Sequence, residues 1–261
     1  METIISRSIF SPATGYIQRG GFDWTCNPYV GCSFGCVYCY AMYLPQNRRP
    51  REDWGKWLQA KGNAVELARK DSHKVAGQAV YLSSVTDPYL PVERSLRLTR
   101  GILEALLPWQ PRLMVQTRGP MVERDFDLLT QFEHIRLNMS IPTDDEEVRF
   151  TFEPKAPPLD RRWNAMYAAK ANGIPIGICV TPMLPLRDPV RLFARITALD
   201  PQVLVVQDFH DSHGGFGANT SDAAKALVQR FGWSADRYAD VTAAWRQERM
   251  VYEGEAGFFP P

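Results

Sequence analysis

Histidine is scarce in this 261-residue chain, with 4 copies, and so is cysteine, with 5. An odd number of thiols, four of them crowded together as Cys26, Cys32, Cys36 and Cys39, argues against a disulfide framework and for a metal centre in a reducing compartment. An excess of one charge is also missing. The 30 Lys+Arg and 29 Asp+Glu leave a net charge of +1, so no global field recruits a polyanion and any nucleic-acid contact must come from a local patch. No apolar run approaches the length of a membrane span, and Met1 to Tyr16 lacks a basic start leading into an apolar core. A soluble, cytoplasmic protein with no membrane partner is therefore expected. Repeats, low-complexity tracts and charge blocks are absent as well.

The apolar content of 45% is enough to bury a full-sized core. One domain over 1–261 is expected, with its core over roughly 22–210 and a helical extension from about 219 onward. Strand-like runs alternate with helical patterns, the rhythm of βα units. Candidate strands are 24–29, 79–83, 113–117, 135–141, 174–180 and 203–209, and Val203-Leu204-Val205-Val206 is apolar on both faces, as in a parallel strand covered by other layers. Helical spacing recurs in Val122, Phe126 and Leu129, and again in Trp163, Met166 and Tyr167. Asp188-Pro189 reads as a helix start, and Ser221 and Ser234 as caps of the last two helices. About six such units predict an α/β fold, a partial, open (β/α)6 barrel of the TIM type with its reactive groups on the loops after the strands.

After the first candidate strand comes Gly31-Cys32-Ser33-Phe34-Gly35-Cys36-Val37-Tyr38-Cys39-Tyr40, with the spacing C-x3-C-x2-C. Three thiolates can each ligate one iron of a [4Fe-4S] cubane, which leaves the fourth iron open to an exogenous ligand. Four cysteines satisfy a tetrahedral zinc equally well, with Cys26 as the fourth ligand. Against zinc, the three cysteines form one asymmetric run instead of paired knuckles, and Cys26 lies on a candidate strand where packing is its ordinary role. A non-catalytic zinc or iron-sulfur module stands as the alternative to an enzyme.

The run resembles the signature of the radical S-adenosylmethionine (SAM) superfamily, and Asn27 to Cys32 with Cys39-Tyr40-Ala41 resembles its spore photoproduct lyase-like branch. Thr86-Asp87-Pro88-Tyr89 with Glu93, Thr117-Arg118, Ser140-Ile141, Glu153 to Pro157 and Pro182 to Pro185 extend the likeness over roughly residues 22 to 200. The resemblance implies a [4Fe-4S] cluster and SAM as cofactors, with Cys32, Cys36 and Cys39 on iron. It also implies reductive cleavage of SAM to a 5′-deoxyadenosyl radical, an electron donor such as flavodoxin or ferredoxin, and a lyase-like reaction on DNA thymine dimers or, alternatively, modification of a nucleotide or other small metabolite. Carried over by position, Thr86 resembles the contact to the SAM amino group, and Arg118 and Ser140 the pair holding its carboxylate. The family usually has lysine at the place of Arg118. Tyr38 resembles the aromatic beside the cluster and the adenine, and Asp87 is either a ribose or substrate contact or a helix cap.

Ser84 falls among the cofactor-binding positions, where the named lyase has its hydrogen-donating cysteine. A serine O–H is too strong to give a hydrogen atom to a carbon radical, so Cys179 in the fifth candidate strand is either the alternative donor or a buried apolar thiol. Tyr40, beside the last ligand, resembles a family tyrosine in the hydrogen-transfer path or is a packing residue. These two are the candidate catalytic residues. Arg48, Arg49, Arg51 and Lys56, interleaved with Trp54 and Trp57, form either a nucleic-acid patch or an ordinary loop. His210 and His213, with Asp208 and Asp211, line either the barrel mouth or a polar turn. The tail after Ser234 is expected to cover the base or side of the barrel.

Overall fold

The computed structural model describes residues 1–44, 47, 49–209 and 221–261. Eleven strands lie within these residues: β1 (Glu2–Ile4), β2 (Phe10–Pro12), β3 (Trp24–Cys26), β4 (Tyr29–Gly31), β5 (Leu58–Lys61), β6 (Ala79–Leu82), β7 (Arg112–Thr117), β8 (Ile135–Ser140), β9 (Ile176–Met183), β10 (Val203–Asp208) and β11 (Tyr252–Glu253). Eight form one sheet in the order β11-β10-β9-β8-β7-β6-β3-β2. Every pairing from β3 to β11 is parallel, and β2 closes one edge antiparallel to β3. The six expected strands are β3 and β6 to β10, in the expected order. Edges β2 and β11 are not paired to each other, so the barrel is open.

Alternation along the strands sorts the side chains into two layers. Val80, Leu82, Leu113, Val115, Leu137, Met139, Ile178, Val180, Leu204 and Val206 face the covering helices, among them Leu98–Leu106, Leu159–Ala171 and Pro189–Leu199. These helices present Ile102, Leu103, Trp163, Met166, Phe193 and Ile196 to that layer. Ala79, Tyr81, Met114, Cys179, Val203 and Val205 face inward and meet Phe22 and Phe258. The tail thus covers the base, with Phe258 among these inner residues and the Phe259 carbonyl accepting from Arg136.

The expected caps form: the side chains of Asp188, Ser221 and Ser234 accept from the amides of Arg191, Ala224 and Arg237. Two expectations need correction. The run 24–29 is not one strand, because Pro28 lacks the N–H that a central strand needs. The chain breaks at Asn27-Pro28, and β4 leaves for a second sheet of order β1-β5-β4, parallel between β1 and β5 and antiparallel between β4 and β5. That small sheet carries the cysteine loop. Asp87 caps no helix; the helix Glu93–Leu96 follows Val92 with no side-chain cap.

Gly177 on β9 is required by its neighbour in the barrel: an added Cβ would lie 2.2 Å from Asn138 Oδ1. That oxygen accepts from Arg136 Nε at 3.1 Å, inside a layer with no slack. Gly177→Ala should therefore destabilise by about 1–3 kcal/mol through overpacking, measured as a lower urea midpoint at unchanged m-value.

Candidate active site

The cysteine loop starts where β4 ends. Val37 N donates to Phe152 O (2.9 Å) and Lys155 N to Phe34 O (3.3 Å), which fasten the loop to the segment after helix Glu146–Phe152. Gly35 and Gly55, both with left-handed φ (64° and 84°), pass so closely that a Cβ on Gly55 would lie 2.6 Å from Gly35 Cα. Only glycine meets both demands.

Cys32 and Cys36 are buried, Cys39 is half-buried, and none is in a disulfide. Burial pushes each thiol up to about 12, and each also feels a neighbouring ligand cysteine, so the three share one electrostatic neighbourhood. A thiol in that state favours its protonated form, and a bound metal would replace that proton. Cys26, the fourth ligand that a zinc site would need, is fully buried in the helix-facing layer instead. Among the described residues no group of three or more His, Cys, Asp or Glu converges as on a single ion. Three soft donors on one tight loop fit a cubane with one iron left for SAM.

Behind the loop lies a buried ionic knot. Glu153, fully buried, accepts from Arg162 Nη2 (2.5 Å) on one oxygen and from Arg118 Nη1 (2.6 Å) and the Tyr38 hydroxyl on the other. The two guanidinium groups hold its carboxyl below the usual range against the opposing effect of burial. Arg118 Nη1 also donates to Cys36 Sγ at 2.6 Å, while Nε and Nη2 make no hydrogen bond to a described residue. Arg162 Nη1 continues the knot to the Ser140 carbonyl (3.0 Å) at the end of β8.

The remaining predicted residues gather at the same end of the sheet. Thr86 Oγ1 donates to Gly31 O (2.7 Å), and the Tyr40 hydroxyl donates to Ser84 O. Asp87 ties the loop after β6 to β7, accepting from Thr117 Oγ1 (2.7 Å), Arg118 N (2.9 Å) and Tyr89 N (2.9 Å). Ser140 and Cys179 are register partners on β8 and β9, and Gln116 on β7 spans both: Nε2 donates to Ser140 Oγ (3.0 Å), and Oε1 accepts from Cys179 Sγ (3.7 Å). The basic and aromatic residues beyond the loop are engaged with their own chain. Arg49 lies 4.9 Å over Trp57 and pairs with Glu2, Arg51 lies 4.2 Å over Tyr43, and Lys56 pairs with Asp53. Arg48, His210, Asp211 and His213 lie outside the described residues.

The Radical SAM superfamily sequence model matches residues 26–196, more than half of the chain. The chain belongs to the radical SAM superfamily. Its members use a [4Fe-4S] cluster and SAM, and Cys32, Cys36 and Cys39 are the residues here that fit the cluster. An uncharacterized protein of Methanocaldococcus jannaschii is 32% identical over 165 residues, which cover 63% of this chain and 62% of that protein. The radical SAM Nalpha-GlyT isomerase of Pseudomonas phage M6 is 25% identical over 185 residues, 69% of this chain and 38% of that protein. The alignment thus spans under two thirds of either relative. In fold, the chain is similar to spore photoproduct lyase complexed with dinucleoside spore photoproduct, with a TM-score of 0.62 and 15% identity over 97% of this chain and 81% of that one.

Two residues were not legible in the sequence. Glu153 is named there only within a resembling segment, and its partners Arg118 and Tyr38 are remote along the chain. Ser83, just after β6, has a left-handed φ of 70°, is 2% exposed, and keeps its hydroxyl without a hydrogen-bond partner among the described residues. Both features cost stability at the mouth of the barrel.

Two outcomes are expected. Glu153→Ala leaves the buried Arg162 and the half-buried Arg118 without their carboxylate and should cost about 3–5 kcal/mol in chemical denaturation. Ser83→Gly removes the left-handed penalty of roughly 1–2 kcal/mol and the orphaned hydroxyl, and should raise Tm by several degrees in a thermal scan.

Proposed function

We propose that this chain is a radical SAM enzyme that abstracts a hydrogen atom from a nucleotide, free or within a nucleic acid, held inside the open barrel. One observation carries this reading: the cysteine loop and Arg118 stand at the strand ends, above an inner face lined by Gln116, Asn138, Ser140 and Cys179. When bound, the cluster and SAM supply a 5′-deoxyadenosyl radical by one-electron cleavage of the sulfonium C–S bond. The reductant is an external one-electron donor of the flavodoxin or ferredoxin class. Thr86, Arg118 and Ser140 are assigned to SAM, with Ser84 and Tyr38 beside it.

Gln116, half-buried on that face, offers an amide of the kind that reads a base edge. The fold shared with a lyase solved with a dinucleoside photoproduct supports a nucleotide substrate, and the likeness to a phage isomerase supports a rearrangement as the second reading. The two differ in how the product radical ends. In the lyase-like course, Cys179 gives its S–H hydrogen atom to the carbon radical, forming C–H and a thiyl radical, which one electron from the reductant and one proton return to the thiol. Tyr40, tethered at Ser84, is assigned to the hydrogen-transfer path. In the rearrangement, Cys179 would give up no hydrogen atom, and the inner face would serve only to hold the substrate.

Anaerobic reconstitution should load about four irons per chain, and dithionite with SAM should release 5′-deoxyadenosine faster when dimer-containing oligonucleotides or nucleosides are added. No stimulation by either set would remove the nucleotide reading. Cys179→Ala should still cleave SAM but lose closed-shell product, and Tyr40→Phe should slow it; full turnover by both variants would withdraw these roles. Burial pushes the Cys179 thiol up to about 12, so it stays protonated below that range. Product formation should accordingly show no thiol-dependent fall between roughly pH 7 and 10.

A further inference from the structure

Arg118 stands against a cluster ligand, and its hydrogen-bond geometry is over-determined on one nitrogen only. Nη1 has two hydrogens and three polar neighbours: Glu153 Oε1 at 2.6 Å, Cys36 Sγ at 2.6 Å and the Tyr38 hydroxyl at 3.1 Å. The Tyr38 hydroxyl spends its own proton on Glu153. Its lone pairs remain open to Nη1, but the two Nη1 hydrogens serve first the nearer acceptors, the carboxylate and the sulfur, with the Tyr38 oxygen a longer, shared acceptor. Glu153 is in turn fixed from its other side by Arg162, both fully buried, so the guanidinium cannot swing away.

We propose that Arg118, positioned by Glu153, donates an N–H···S hydrogen bond to the Cys36 ligand and so raises the reduction potential of the cluster, while its outer nitrogens serve SAM. Reduction adds a negative charge that spreads onto the ligand sulfurs, and a hydrogen bond from a cation stabilises that state more than the oxidised one. A lysine ammonium is a compact charge without a rigid fork and cannot hold sulfur, carboxylate and an incoming carboxylate in one plane. A single arginine thus sets both how readily the cluster accepts an electron and how SAM is held. This rests on the cluster assignment and is independent of the substrate.

The test is the midpoint potential of the reconstituted, full-length protein without SAM, followed by EPR during a dithionite titration. Arg118→Lys keeps the charge and should shift the midpoint to lower potential at equal iron content. An unchanged midpoint in the loaded variant would overturn the proposal. Deuterium ENDOR on the reduced wild-type cluster after exchange into D2O should reveal an exchangeable hydrogen strongly coupled to it. Absence of that coupling would overturn the proposal whether or not any variant loads iron.

Discussion

The carboxylate of Glu153 draws together parts of the molecule that are far apart in sequence. It sits between Arg162, on the helix that covers β8, and Arg118, just past β7, and takes the hydroxyl of Tyr38 from within the cysteine loop. An unpaired carboxylate at that depth would cost several kcal/mol, so all three partners must arrive together. Since Tyr38 lies between the ligands Cys36 and Cys39, satisfying this one buried charge also places the loop over the strand ends. Removal of any one member exposes the others to the same desolvation cost. The loop is therefore anchored from behind by charge and from the side by the glycine contact of Gly35 with Gly55.

The architecture explains why the loop needs such anchoring. Strand β4 belongs to the small sheet, not to the barrel, so the barrel's own hydrogen-bond ladder does not reach the cysteines. Bonds from the loop after β6 cross towards the small sheet: Thr86 Oγ1 to Gly31 O on β4, and Val85 N to Asn27 Oδ1 (3.2 Å) just before it. The loop after β6 thus meets the cysteine segment at both ends, Thr86 at Gly31 and Ser84 at Tyr40. Asp87 repeats the same logic one strand further on, its carboxylate consumed in joining that loop to Thr117 and Arg118. Its position, read from sequence as a ribose contact or a cap, is explained by this joining role.

Sequence made the parallel strands and the three-thiol loop legible because both are local patterns: apolar runs of strand length, and ligand spacing within eight residues, Cys32 to Cys39. The break at Pro28 was also written locally, in a residue without an N–H, but the apolar run around it masked the change of sheet. Edge strands β2 and β11 are two or three residues long and carry no period to detect. The partnership of Arg118 with Glu153 spans 35 positions, and no spacing rule connects them. Ser83 could not be singled out at all, since a left-handed backbone at serine is imposed by the crossing of two loops and not by any preference of the residue.

Burial does opposite things to the thiols of this protein. It raises Cys32, Cys36, Cys39 and Cys179 alike to about 12. For the first three, a bound metal would displace the proton that burial otherwise retains. For Cys179 no metal replaces the proton, and the same penalty preserves the S–H bond. A hydrogen-atom donor has to remain a thiol, because a thiolate has no hydrogen to give. On the proposed reading, the inner face of β9 meets that requirement, since Cys179 is fully buried and its Sγ donates to the Gln116 amide oxygen. Serine at position 84, with its stronger O–H bond, cannot fill that role even though it lies closer to the loop. The chemistry available at the two ends of the site is thus set by what each buried sulfur faces, a metal in one place and an amide in the other.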